Sequence, residues 1–300
     1  MKDTLCKALV CQDHIRLYMV RSTDLVQEAR DRFDLYPCAC AALGRVLSVG
    51  SLMGSMLKDE KEMLTISING HGPIGSLIVD AYHDGNVRGF CSNPHVDTEF
   101  KESGKLDVGA VVGKEGTLTV TKDLSMQENF SGTVELVSGE IGEDFAYYFT
   151  KSEQTPTAVS VGVLVDPSGN VVNVVSAGAL ILQVLPDATD ADISICEHVL
   201  EGLKPMSTLM KEYDDSCLEQ LAKDMFEDAR VLSVQEVSFS CPCSKERMER
   251  ALSTLHEKDL KAMIEEDHGA KVTCNFCNER YEFTEQELQS ILDKRHEKNV

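Results

Sequence analysis

A chain of 300 residues has room for one large domain and one small one, and its net charge of −21 repels phosphate backbones and anionic membranes, which argues against nucleic acid or lipid as partner. Its opening, Met1-Lys2-Asp3-Thr4, lacks the apolar run of a secretory leader, so the expected location is the cytoplasm. There, eleven cysteines serve as metal ligands, redox groups or packing rather than as a disulfide scaffold.

Taken in order, the first twenty residues alternate around Ala8, Val10, Ile15, Leu17 and Met19, the pattern of a strand pair. Ser22 or Thr23 can cap a helix through Leu25, Val26, Ala29 and Phe33. A second helix, rich in Ala, Leu and Met, is expected from Pro37 to Leu57. Its Cys38-Ala39-Cys40 reads as packing, because side chains two apart on a helix diverge by about 200°. From Leu64 to about Leu185, short β-branched runs separated by Gly, Asn and Asp predict several strands, with turns at Asp84-Gly85-Asn86 and Pro167-Ser168-Gly169-Asn170. One helix, Gly142 to Lys151, interrupts them. The apolar stretch Val171 to Leu185 is too short to span a bilayer and reads as a buried strand. The predicted class is α+β: a large N-terminal domain of sheet and helix over 1–186, a helical linker over 187–235, and a small zinc-binding domain over 236–300.

Between Asp187 and Arg230 stand twelve acidic and four basic residues. Apolar residues recur there at helical spacing: Ile193, Cys196, Val199 and Leu203, then Leu218, Leu221, Met225 and Phe226. Gly202, Pro205, Asp214 and Asp215 divide the run into short helices, which are marginal alone and need a surface to dock on. In the last segment, Ser244 can cap a helix through Met248, Leu252 and Leu255. Another short helix is expected around Leu260 to Ile264, and Tyr281 and Phe283 mark a short strand. Thr284-Glu285-Gln286-Glu287 is a capping box before Leu288, Ile291 and Leu292.

The strongest chemical signal is a pair of clips, Cys241-Pro242-Cys243 and Cys274-Asn275-Phe276-Cys277, with thirty residues between them. Zinc takes four thiolates tetrahedrally at about 2.3 Å, and two clips brought together from afar complete such a site. The spacing fits neither ferredoxin cluster pattern, so one Zn²⁺ is expected rather than iron–sulfur. His256 and His268 read as surface or turn residues while four thiols are available. Four thiolates leave no position for water, so Lewis-acid catalysis is not expected. The sulfurs themselves remain reactive: a metal-bound sulfur is a thiolate, and its oxidation beside a second thiol yields a disulfide that no longer holds metal. A purely structural zinc site satisfies the same spacing. Cys6, Cys11, Cys91, Cys196 and Cys217 stand alone and read as packing. Gly70-His71-Gly72-Pro73-Ile74-Gly75 lacks the lysine and hydroxyl residue of a phosphate loop.

Taken together, Phe239-Ser240-Cys241-Pro242-Cys243-Ser244, Cys274-Asn275-Phe276-Cys277-Asn278, Gly72-Pro73-Ile74-Gly75, Val87-Arg88-Gly89-Phe90 with Asn93-Pro94, Val112-Gly113-Lys114 with Lys122-Asp123, Ser138-Gly139-Glu140 and Ser152-Glu153-Gln154-Thr155-Pro156 make the chain resemble the redox-regulated 33 kDa chaperonin (heat-shock protein 33) family over nearly its whole length. Phe90, where the family often has tyrosine, and Ala179, where it often has a second glycine, depart from the pattern. The resemblance implies a non-enzymatic, ATP-independent holdase, inactive while reduced and zinc-bound. It implies that oxidation converts the ligands to Cys241–Cys243 and Cys274–Cys277 disulfides, releases zinc, and unfolds the C-terminal domain and linker. A homodimer then binds unfolding client proteins. Met206, Leu209, Met210, Met225 and Phe226 are the candidate client-binding residues, since methionine-rich surfaces adapt to many shapes. The alternative is a constitutive zinc-ribbon adaptor for a protein or nucleic acid, for which Lys245, Arg247 and Arg250 are a thin basic patch.

Overall fold

A computed structural model describes residues 2–97, 100–126, 128–166, 172–213 and 218–298. The chain divides into two compact units, Met1–Ser240 and Cys241–Val300. The class is α+β, as expected.

The first unit opens with the expected hairpin, β1 (Thr4–Val10) and β2 (Ile15–Arg21), followed by α1 (Thr23–Phe33) and α2 (Pro37–Gly54). Then come β3 (Met63–Asn69), β4 (Ser76–Tyr82), β5 (Val87–Cys91), α3 (Val108–Val112), β6 (Thr117–Asp123), β7 (Phe130–Glu135), α4 (Gly142–Lys151), β8 (Thr157–Asp166) and β9 (Asn173–Val184). Three short helices, α5 (Asp190–Glu201), α6 (Met206–Glu212) and α7 (Leu218–Met225), lead to β10 (Arg230–Glu236). Two antiparallel five-stranded sheets result, ordered β10-β1-β2-β9-β8 and β5-β4-β3-β6-β7.

Helix α2 packs on both sheets and is buried on every side. Its small residues permit that approach: a Cβ at Gly54 would lie 2.5 Å from the Tyr82 carbonyl oxygen. Among the described residues it is the one helix long and apolar enough to cross a membrane, and 89% of it lies inside the fold. Its buried hydroxyls find partners, Ser51 donating to the Gly85 carbonyl at 2.6 Å and Ser48 meeting Ser22 at 2.7 Å. Cys38 and Cys40 are fully buried packing residues on this helix.

Several sequence expectations need correction. Ser22 occupies the N-cap position of α1, but its hydroxyl is turned to Ser48; the Leu25 amide donates instead to Asp3 Oδ2 at 2.7 Å. A second helix, α3, interrupts the strands, capped by Asp107, which accepts from the Ala110 amide. The linker is not wholly helical, because β10 pairs with β1 as an edge strand. Its alternation runs against the usual sense: Ser233 and Gln235 are half-buried while Leu232 and Val234 are exposed. The Pro167–Asn170 turn, the Asp214-Asp215 break and Cys217 lie outside the described residues.

Burial pushes the Asp3 carboxyl up from 3.8 to about 6, against the pull of the Leu25 and Asp24 amides. The folded state therefore holds this proton more tightly than the unfolded chain, so its stabilising contribution is full below about pH 4 and lost as pH rises through 6. Asp3→Asn is expected to remove about 2–3 kcal/mol of that pH dependence. Urea unfolding between pH 4 and 7.5, followed by hydrogen exchange at α1, checks it. Asp3→Ala should cost about 1–2 kcal/mol at pH 4 through loss of the cap, and less at pH 7.5, where it also removes the buried charge.

The second unit comprises α8 (Lys245–Leu252), α9 (Glu257–Glu265), the hairpin β11 (Gly269–Thr273) and β12 (Arg280–Thr284), and α10 (Glu285–Lys298). Ser244 caps α8, accepting from the Arg247 amide. The expected capping box opens α10: the Thr284 amide donates to Glu287 at 2.9 Å and the Glu287 amide to the Thr284 hydroxyl at 3.3 Å. Leu252, Leu260, Phe283, Leu288, Ile291 and Leu292 form its core.

Candidate metal centre and docked linker

Cys241 and Cys243 lie in irregular chain just before α8, and Cys274 follows the end of β11. Between Cys274 and Cys277 the chain turns back: the Asn278 amide donates to the Cys274 carbonyl at 2.8 Å, and Asn278 takes a left-handed φ of 59°. The amides of Phe276 and Glu279 hydrogen-bond the Cys274 and Cys277 sulfurs. The four sulfurs lie within 4.8 Å of one another, the one such ligand group among the described residues. Cys241 and Cys274 sulfurs are 3.8 Å apart, and Cys243 and Cys277 are 3.3 Å apart. A tetrahedron of sulfurs at about 2.3 Å from one ion has edges of about 3.8 Å, so the cluster has the size and chemistry to hold a metal ion. Burial raises the Cys274 and Cys277 thiols above the ordinary cysteine range, and at Cys277 the neighbouring sulfurs add to it. Four uncompensated thiolates are therefore unstable there, and a bound cation would keep them charged.

The hydroxyl of Tyr281, on β12, donates to the Cys243 sulfur at 3.1 Å. Sequence reasoning placed Tyr281 on a strand without giving it this role. Its offset of four residues from Cys277 is the only local hint. His268 instead faces Glu285 at 2.8 Å, and His256 sits at the N-cap of α9.

In the first unit, Met206, Leu209, Met210 and Phe226 are buried, and Met225 is half-buried, in one cluster with Ile15, Leu17, Met19, Leu180 and Leu182 of β2 and β9. Alternation along β2 turns Tyr18 and Val20 to the opposite face, where α1 and α2 lie. The linker helices thus roof one face of the sheet. Gly162 of β8 and Gly178 of β9 are register partners beneath α6. A Cβ on Gly162 would fall 2.8 Å from the Ser207 amide nitrogen, and one on Gly178 would fall 2.6 Å from Met210 Cγ. The paired glycines form a trough in which α6 lies.

The β1–β2 turn joins this roof. Cys11, Gln12 and Asp13 are three successive left-handed residues, at φ of 52°, 56° and 69°. Such a conformation costs on the order of 1 kcal/mol per non-glycine residue and needs outside support. The Gln12 amide donates to Asp228 at 2.7 Å, the Arg230 guanidinium forks onto Asp13, and His14 Nδ1 meets Asp192 Oδ2 at 2.9 Å. The Thr189 amide and hydroxyl, with His14, hold the Asp192 carboxyl below its ordinary range. Cys11 and Cys196, read from sequence as solitary, have sulfurs 4.0 Å apart here.

A family profile described as Hsp33 protein matches residues 3–284. A 33 kDa chaperonin of Halalkalibacterium halodurans is 45% identical over 296 residues, covering 98% of this chain and all of the relative. One of Bacillus cereus is 47% identical over 294 residues, covering 98% and 99%. The crystal structure of the 33 kDa chaperonin (heat shock protein 33 homolog) of Thermotoga maritima matches with a TM-score of 0.88 at 33% identity, covering 99% of this chain and 100% of that one. With the profile spanning the four-sulfur cluster and both sheets, and full-length relatives near half identity, the chain belongs to the Hsp33 family.

Proposed function

We propose that this chain is a redox-regulated, ATP-independent cytoplasmic chaperone that binds unfolding proteins once its C-terminal cysteines are oxidised. Residues 1–186 are the scaffold, 187–235 the linker and 236–300 the switch. The observation that carries this reading is the cluster of four sulfurs within 4.8 Å, in a unit whose core is otherwise six buried side chains. Cys241, Cys243, Cys274 and Cys277 are the zinc ligands in this reading. Bound there, zinc would keep the sulfurs as thiolates and tie the two clips together.

Peroxide or hypochlorous acid oxidises one sulfur to sulfenic acid, and a neighbouring thiol displaces water to form a disulfide. The resemblance to the family implies that the disulfides form within each clip, Cys241–Cys243 and Cys274–Cys277. The tail then loses its main source of stability. Edge strand β10 transmits that loss: it pairs in its sheet with β1 alone, and it runs from the docked linker into residues 237–240, which are held on Asn86 and Val87 just before Cys241. Peeling it away frees α5–α7, which are too short to persist undocked. Their methionine-rich face and the sheet face beneath become client surface, and exposed apolar area favours dimerisation. Each such side chain contributes about 1.5–3 kcal/mol when buried, so a few hold the linker down.

Zinc content, oligomeric state and suppression of aggregation of a heat-unfolding client, measured on matched reduced and oxidised samples, test the reading. Oxidised, zinc-free dimer should suppress aggregation and reduced protein should not; equal suppression by both sinks it. Tyr281→Phe deletes the hydrogen bond to Cys243, and outer-shell partners typically contribute about 10–100-fold in metal affinity. A loss of about tenfold is expected in chelator competition, with faster peroxide oxidation because the sulfur lone pair is released.

A further inference from the structure

We infer that Cys11 and Cys196 are a second site of oxidative modification, forming a disulfide that pins α5 to the β1–β2 turn. The two sulfurs face each other at 4.0 Å across 185 residues of chain. Both residues are buried, Cys11 in the strained turn and Cys196 on the first linker helix. A disulfide needs about 2 Å of further approach, within reach of side-chain rotation about both Cα–Cβ bonds. Among the described residues no third histidine, cysteine or carboxylate completes a ligand group with them, so their geometry is that of a redox pair rather than a metal site.

The surroundings set when the pair reacts. Burial pushes the Cys11 thiol up to about 12 and raises Cys196 as well, with Asp192 and Asp228 facing both and Glu197 facing Cys196. Neutral thiols are poor nucleophiles, so the pair is inert while α5 is docked. A fluctuation that lifts α5 admits water, and one thiol ionises near its ordinary value. That thiolate attacks peroxide, cleaving the O–O bond, taking one oxygen as sulfenic acid and releasing hydroxide. The other thiol, hydrated in the same fluctuation, ionises and attacks the sulfenic sulfur as α5 returns; the S–S bond forms, and hydroxide leaves and takes up that proton as water. In sum, two thiols lose two electrons and two protons, and one peroxide becomes two waters. The covalent link spans β1 to α5 and removes freedom from the undocked linker. The link itself does not rest on the proposed chaperone switch. Its consequence does: α5 stays on the sheet while α6 and α7 are released, limiting how far the linker opens.

The test uses the full-length, zinc-loaded, reduced chain and hydrogen peroxide at raised temperature. The dose is increased until the four C-terminal cysteines are consumed or methionine sulfoxide appears. After alkylation, tryptic mapping reads the pair unambiguously, because Cys11 is the only cysteine of peptide 8–16 and Cys196 the only one of 152–211, the Lys204–Pro205 bond being resistant to trypsin. The expected product is these two peptides joined and two hydrogens lighter, appearing more slowly than oxidation at the C-terminal four and absent from Cys196→Ser. Hydrogen exchange over 190–201 should be at least about tenfold slower in oxidised wild type than in oxidised Cys196→Ser. Free Cys11 and Cys196 at the final dose, or either one joined to a different cysteine, overturns the inference. So does a link that leaves α5 exchange unchanged. If the C-terminal four keep their metal or give no activation on oxidation, the chaperone switch fails, while the 8–16/152–211 link is scored separately.

Discussion

Replacing Cys277 with serine will strip the metal from the chain, unfold Cys241–Val300 and release the linker, while residues 1–186 stay folded. The two parts are separate compact units, so the first does not depend on the sulfur cluster for its core. The second rests on six buried side chains, and a core of that size rarely supplies more than about 3–5 kcal/mol. Structural zinc in small domains contributes an apparent 10–16 kcal/mol or so, enough to decide between folded and unfolded. A serine hydroxyl does not ionise to replace the Cys277 thiolate, which is 3.3 Å from the Cys243 sulfur at the closed end of the cluster. Zinc should fall from one per chain to about a tenth or less. Hydrogen-exchange protection over α8–α10 should vanish. If loss of metal alone throws the proposed switch, holdase activity should appear without any oxidant. A variant that keeps one zinc and a protected α10 would show that the sulfurs are not what holds this unit together.

Met210→Asp should release the linker with the metal still in place. Met210 is 1% exposed, lying over the Gly162–Gly178 trough in contact with the sheet. Removing a buried methionine costs about 2–5 kcal/mol, and an unpaired carboxylate in its place adds several more unless it is protonated. That exceeds what a seven-residue helix can offset. The expected result is exchange over 190–212 faster by about a thousandfold or more, one zinc per chain, and suppression of client aggregation under fully reducing conditions. Met210→Leu, which keeps volume and polarity, should behave as wild type. If Met210→Asp undocks the linker yet shows no holdase activity, the client surface lies elsewhere than on α5–α7 and the sheet face they cover.

Much of this architecture is written locally. The two cysteine clips, the Thr284/Glu287 capping box, the Ser244 cap, the first hairpin and the helix from Gly142 to Lys151 are read over a few residues, because spacing and periodicity encode them before any long-range contact forms. The linker's helical segments were legible for the same reason. The tertiary structure decided what depends on partners far away. Asp3 rather than Ser22 caps α1, because β1 carries a carboxylate to the Leu25 amide and α2 presents Ser48 to the Ser22 hydroxyl. β10 escaped detection because its exposed face holds Leu232 and Val234, so the alternation is inverted and only pairing with β1 makes it a strand. Cys11 and Cys196 meet, and Gly162 faces Gly178 under α6, through strand register. A register fixes contacts between segments over a hundred residues apart, and no short window of sequence carries it.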